Sequence, residues 1–179
     1  GFCLFNSIAI AARYAQKFHG LDRVAIVDWD VHHGNGTQEI FYRDSSVLFF
    51  STHQSPWYPG TGFREETGDG PGRGTTLNCP LPAGSGGAEI FSAFQDRLLP
   101  ALRKFRPELI LLSAGFDSRA GDPLGQFLLT DADFHDLTHL LRDAAAELCH
   151  ERLVSVLEGG YHPAGLASAV KTHVTALLE

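Results

Sequence analysis

Four short apolar runs, separated by stretches with helical spacing, constrain this chain most. Val24–Asp28, Val47–Ser51, Leu109–Ala114 and Leu153–Leu157 are rich in Val, Ile, Leu and Phe. Their near-continuous apolar character reads as strands covered on both faces, not as alternating half-buried strands. Helices are expected over Asn6–Phe18 with a stop at Gly20, from Gly36 to Phe41, over Ala88–Phe105, over Asp131–His150 with Thr130 as N-cap and Asp133 in its third position, and over Ala164–Leu178. Strands alternating with helices predict an α/β fold, a three-layer parallel sheet with helices on both faces. Residues 54–87 are rich in Gly and Pro and read as one long loop. Trp57 and Tyr58 mark that loop as functional.

In parallel sheets, ligands bind beyond the carboxyl ends of the strands, and here those ends carry the reactive side chains. The first strand runs into Asp28-Trp29-Asp30-Val31-His32-His33-Gly34-Asn35-Gly36. Extended backbone would place Asp28, Asp30 and His32 on one side and leave His33 to packing on the other. Carboxylate and imidazole together suit zinc or a similar divalent ion. The third run ends at Ser113-Ala114-Gly115-Phe116-Asp117 and the fourth at Glu158-Gly159-Gly160-Tyr161, so parallel strands would bring all three ends to one rim. A catalytic zinc keeps three protein ligands and an open position, and Asp30, His32 and Asp117 could supply the three. Asp28 is either a ligand or a supporting acid. The Tyr161 hydroxyl is placed to hydrogen-bond a developing oxyanion. Amide hydrolysis by this route also needs a general base, most often a His, and none is evident. The other histidines (19, 53, 135, 139, 150, 162, 173) lack ligand spacing and read mostly as solvated, with His53 and His162 near the site loops.

Composition narrows the function classes. At 179 residues and 44% hydrophobic, the chain suits one domain, 1–179, with a real core. Its net charge of −7 disfavours direct nucleic-acid binding. No apolar run reaches the length of a membrane span. Cys3, Cys79 and Cys149 form no C-x-x-C pair and read as reduced thiols of a cytoplasmic protein, or a nuclear one in a eukaryote. No G-x-S-x-G elbow points to a serine hydrolase. With no Met anywhere, the chain is expected to be a piece of a longer protein.

Taken in order, Gly1–Asn6, Asp28–Thr37, Pro59-Gly60-Thr61-Gly62, Ser113–Asp117, Gly121-Asp122-Pro123-Leu124 and Leu157–Tyr161 resemble the zinc-dependent histone deacetylases of the arginase–deacetylase superfamily. The resemblance covers essentially the whole chain. Asn35, where class I members usually have Asp, and Tyr161 are similar to the class II branch and its bacterial amidohydrolase relatives.

The resemblance implies hydrolysis of acetyl-lysine amides in proteins, or of a small acetylated amine such as an acetylpolyamine. It assigns zinc to Asp30, His32 and Asp117, and oxyanion stabilisation to Tyr161. Asp28 becomes the acid that orients a catalytic His. A structural potassium ion falls to Asp28, Ser51 and Thr52, with backbone oxygens of Asp28, Asp30 and His32. Substrate binding falls to Phe2, Tyr58, Leu124 and Gly160. An acidic residue at the Leu124 position marks polyamine-preferring relatives, so Leu124 argues against that substrate.

In the family a general-base His-His pair precedes the Gly-Phe-Cys segment, so the resemblance places that pair, and the first strands of the sheet, before Gly1. The fragment is therefore expected to bind metal poorly and turn over little. Two further alternatives are a non-catalytic, metal-stabilised interaction module and an arginase-type enzyme. The second is disfavoured because Gly34-Asn35-Gly36 supplies no ligands for a second metal.

Overall fold

The computed structural model describes residues 3–179. Phe2, the substrate-wall candidate nearest the start, lies outside the described residues. Five parallel strands form one sheet in the order β3-β2-β1-β4-β5. They are β1 (Val24–Asp28), β2 (Val47–Gln54), β3 (Thr76–Leu81), β4 (Leu109–Ala114) and β5 (Leu153–Leu157). The register runs Val24 to Val47 and Leu109 at one end of β1, and Asp28 to Ser51 and Ser113 at the other. The carboxyl ends of β1 and β4 are therefore nearly level, and β2 runs on past them to Gln54.

Strand alternation divides the core in two. Val24, Ile26, Val47, Phe49, Leu109 and Leu111 pack with α1 (Ser7–His19) and α2 (Asn35–Phe41). Ala25, Val27, Leu48, Phe50, Ile110 and Leu112 pack on the opposite face. That face is covered by α3 (Gly87–Ala93), a π turn (Phe94–Leu98), α4 (Leu99–Phe105), α5 (Asp131–Cys149) and α6 (Pro163–Leu178). Burying each large aliphatic side chain on both faces contributes roughly 1.5–3 kcal/mol, which drives the layers together.

The helix ends follow local chemistry. Asn6 Oδ1 accepts the Ala9 N–H at 2.9 Å, and α1 stops at Gly20, which adopts the left-handed conformation at φ 63°. Thr130 and Asp133 close a capping box at the start of α5.

Two expectations are corrected. Residues 54–87 contain β3, an edge strand beside β2. Pro80 and the Gly-rich flanks conceal it, and an edge position tolerates a proline that a central strand would not. The predicted Ala88–Phe105 helix is continuous but passes through the π turn Phe94–Leu98.

Candidate metal centre

β1 ends at Asp28, so alternation along a strand does not aim Asp30 and His32. Two successive Asx turns do. Asp28 Oδ1 accepts the Asp30 N–H at 3.0 Å, and Asp30 Oδ1 accepts the His32 N–H at 2.8 Å. Each acid folds the backbone back over itself. Val31 is left buried, and its carbonyl accepts the Gln54 N–H at 2.8 Å, tying the bend to β2. His33 turns away and is buried, as its predicted packing role requires.

Asp117 arrives from the end of β4 and is fully buried. One of its oxygens accepts the Val31 N–H at 2.9 Å. The other lies 3.1 Å from His32 Nδ1, and Asp30 Oδ1 lies 3.1 Å from the same nitrogen. One ligand atom from each of Asp30, His32 and Asp117 thus falls within 4.8 Å of the other two. Asp28 is not part of this group; it sits behind Asp30 with one oxygen against Gly34.

The electrostatics of the group favour a cation. Burial and the Asp30 carboxylate push Asp117 up to about 7. Burial, with Asp30 and Glu158, holds Asp28 well above the usual carboxylate range. Burial works against charge on His32, yet its hydrogen bonds to Asp117 and Asp30 outweigh that and push it up to about 10. Crowded acids around one imidazole are relieved by a positive ion, and the donor set of two carboxylates and one imidazole suits zinc.

Shape agrees with charge. A Cβ on Gly115 would run into Asp30, and a Cβ on Gly159 would run into both Asp117 and Asp30. These two glycines let two strand ends close around the carboxylates.

The rim is built from the loops. The Tyr58 ring stands edge-on to His32, with centroids 6.2 Å apart, and Tyr58 is 63% exposed. Trp57 Nε1 donates to the Leu124 carbonyl at 2.9 Å, joining the 54–62 loop to the 121–126 loop. Gly160 takes φ 141°, and a side chain there would strike Leu166. Tyr161 is 38% exposed. Burial and the charges of Asp117, Asp30 and Asp122 push its hydroxyl up to about 12, which places it within the field of the acids.

Asp122 belongs to the Gly121-Asp122-Pro123-Leu124 motif, and its contacts show what it does there. Buried Asp122 accepts the Leu124 N–H at 2.9 Å and the Tyr161 N–H at 2.7 Å, so one carboxylate sets two rim residues.

Not every polar group behind the rim is solvated, as predicted for most histidines. His53 is buried, bonded to Ser51 Oγ at 3.0 Å and to the Gly62 carbonyl at 2.9 Å, and burial lowers it to about 4. Its ring lies 4.7 Å from that of His33, which bonds Thr61 and Gln38. This pair pins the loop that carries Tyr58. His173 is also buried, between Thr138 and Ser155. Thr52 is fully buried, and its Oγ1 has no hydrogen-bond partner among the described residues. No helix of the described residues is long and apolar enough to cross a membrane.

Comparison with known proteins identifies the family and the fold. Residues 1–177 match the family model described as "Histone deacetylase domain". The chain is 51% identical over 178 residues to "Histone deacetylase 10, chloroplastic" of Oryza sativa, covering 99% of this chain and 40% of that one. It is 47% identical over 184 residues to the human "Polyamine deacetylase HDAC10", covering 99% of this chain and 27% of that protein. A solved structure, the HDA15 HD domain, superposes with a TM-score of 0.94 at 42% identity, covering 99% of this chain and 50% of that one. The chain therefore spans less than half the length of these curated relatives. The parallel sheet with helices around it is the arginase–deacetylase fold of those structures. The chain belongs to the histone deacetylase family.

Proposed function

We propose that this chain is the metal-bearing part of an enzyme that hydrolyses acetyl-lysine amides of proteins with zinc. The observation that carries this reading is the convergence of Asp30, His32 and Asp117 from two strand ends beneath the Tyr58, Leu124 and Tyr161 rim. Zinc held by those three side chains would polarise the amide carbonyl and make water a nucleophile at neutral pH.

The chain's own residues account for the rest. Tyr58 and Leu124 form apolar walls suited to the aliphatic stem of an acetylated lysine. The Tyr161 hydroxyl stays protonated at neutral pH, because its pKa is pushed up to about 12. It can therefore donate a hydrogen bond to the carbonyl oxygen as negative charge develops there. Gly160 presents the adjacent backbone. Asp28, kept behind the ligands, orients the general base, a His from a pair outside these residues. The carbonyls of Asp28, Asp30 and His32, together with Ser51 and Thr52, suit a structural potassium ion, and the unpartnered Thr52 hydroxyl is consistent with a polar guest there.

The acetylpolyamine reading is favoured by the likeness to a polyamine deacetylase. The apolar side chain of Leu124 at the rim weighs against it, because a polyamine carries further positive charges that seek an acidic group. The test uses a chain extended upstream of Gly1 to the length of its relatives, assayed for acetate release from an acetyl-lysine peptide and from acetylspermidine. Faster turnover of the peptide supports the reading; faster turnover of acetylspermidine supports the alternative. No turnover of either, with zinc bound, points to a non-catalytic module.

A further inference from the structure

A second group of metal-ligand side chains lies on the face of α5. The sequence His135-Asp136-Leu137-Thr138-His139 places two imidazoles at i and i+4, one helical turn apart on the same side. Their ring centroids are 4.5 Å apart. The chain beyond α6 brings the Glu179 carboxylate against both rings. Its Oε2 lies 2.7 Å from His139 Nε2 and 3.5 Å from His135 Nε2.

We propose that His135, His139 and Glu179 form a second site for a divalent transition metal of the zinc class, which clips the end of α6 to α5. Two His in this helical spacing with a carboxylate from elsewhere is a donor set zinc accepts. Ligand atoms around a tetrahedral zinc stand about 3.3 Å apart, given bonds of about 2.0 Å. The observed separations bracket that value. Asp136 Oδ1 lies 3.1 Å from His135 Nδ1. This contact keeps the proton on Nδ1 and leaves Nε2 free to coordinate, as supporting carboxylates do at metal sites. The side chains of both histidines are 33% exposed and that of Glu179 is 48% exposed, so an ion can enter from solvent and keep a water ligand. Arg142 opposes the site, with Nη1 3.4 Å from His139 Nδ1. Arg142 can only donate there, so the metal-free His139 carries its proton on Nε2 toward Glu179, and coordination requires that proton to leave and Arg142 to swing away from Nδ1.

The test is a count of zinc per chain after equilibrium dialysis, on the 179-residue chain and on its His135→Ala/His139→Ala double variant. Taking the difference removes any zinc held at Asp30, His32 and Asp117. The wild-type chain should hold one zinc more than the double variant, and Glu179→Gln should weaken that extra equivalent about tenfold. Zinc should also raise the melting temperature of the wild-type chain more than that of the double variant. Equal zinc counts in the two chains would overturn the proposal, as would an extra equivalent indifferent to Glu179.

Discussion

The Gly159 N–H donates to Asp30 Oδ2 at 2.9 Å, and the space where a Gly159 side chain would stand is filled by Asp117. One backbone position thus holds both acids of the candidate centre. Gly159→Ala forces a methyl group against two carboxylates and should destabilise the fold by about 1–3 kcal/mol, the cost of overpacking. It should also weaken zinc binding. Urea unfolding and zinc titration check this, and an unperturbed variant would count against the cradle.

Asp122 holds the Leu124 and Tyr161 backbones at once. Asp122→Ala leaves both N–H groups without that partner, at a cost of about 1–3 kcal/mol. In the extended enzyme, kcat should fall while zinc content stays unchanged. A fall in zinc content instead would mean that Asp122 supports the metal centre rather than the rim.

The Tyr161 hydroxyl is the one donor proposed to act only on developing charge. Tyr161→Phe in the extended enzyme should lower kcat roughly 10²–10³-fold, as loss of a single oxyanion donor does, with little change in KM. Steady-state kinetics on an acetyl-lysine peptide would reveal this. Retention of most of the rate would remove Tyr161 from the reaction.

Burial lowers His173 to about 4, against about 6.5 in an unfolded chain. Below pH 6.5 the unfolded state binds a proton that the folded state refuses. The stabilisation is therefore complete above pH 6.5 and is lost as pH falls toward 4. Going from pH 7 to pH 5 should cost about 2 kcal/mol at this residue. His53, lowered to about the same value, adds to the slope in the same direction. Urea midpoints across this range should fall with acid, and His173→Gln should flatten the dependence without abolishing it.

Much of the fold was legible because burial of β1, β2 and β4 on both faces leaves uninterrupted apolar runs, and the edge strand β5 keeps such a run although Val154 and Leu157 are exposed. β1, β4 and β5 begin and end at the predicted residues. β3 was not legible, since an edge strand carrying Pro80 between Gly-rich segments lacks that signature. At the site, the residue types at the strand ends pointed to Asp30, His32 and Asp117. Their convergence is not a matter of strand alternation, because paired Asx turns aim Asp30 and His32. Gly115, Gly159 and Asp122 act through contacts between segments distant in sequence, which spacing along the chain does not encode. His173 departs from the expectation that most histidines are solvated, because a buried neutral imidazole depends on partners contributed by other elements, whereas His53, expected near the site loops, is buried against one of them.

The central claim is that Asp30, His32 and Asp117 hold the zinc on which amide hydrolysis depends. The most direct measurement is acetate release from an acetyl-lysine peptide by the extended enzyme, before and after chelation, compared with its Asp117→Asn variant. The account predicts activity abolished by chelation, restored by zinc, and absent in the variant at matched zinc concentration. Acetate release that survives chelation, or that persists in Asp117→Asn, would contradict it.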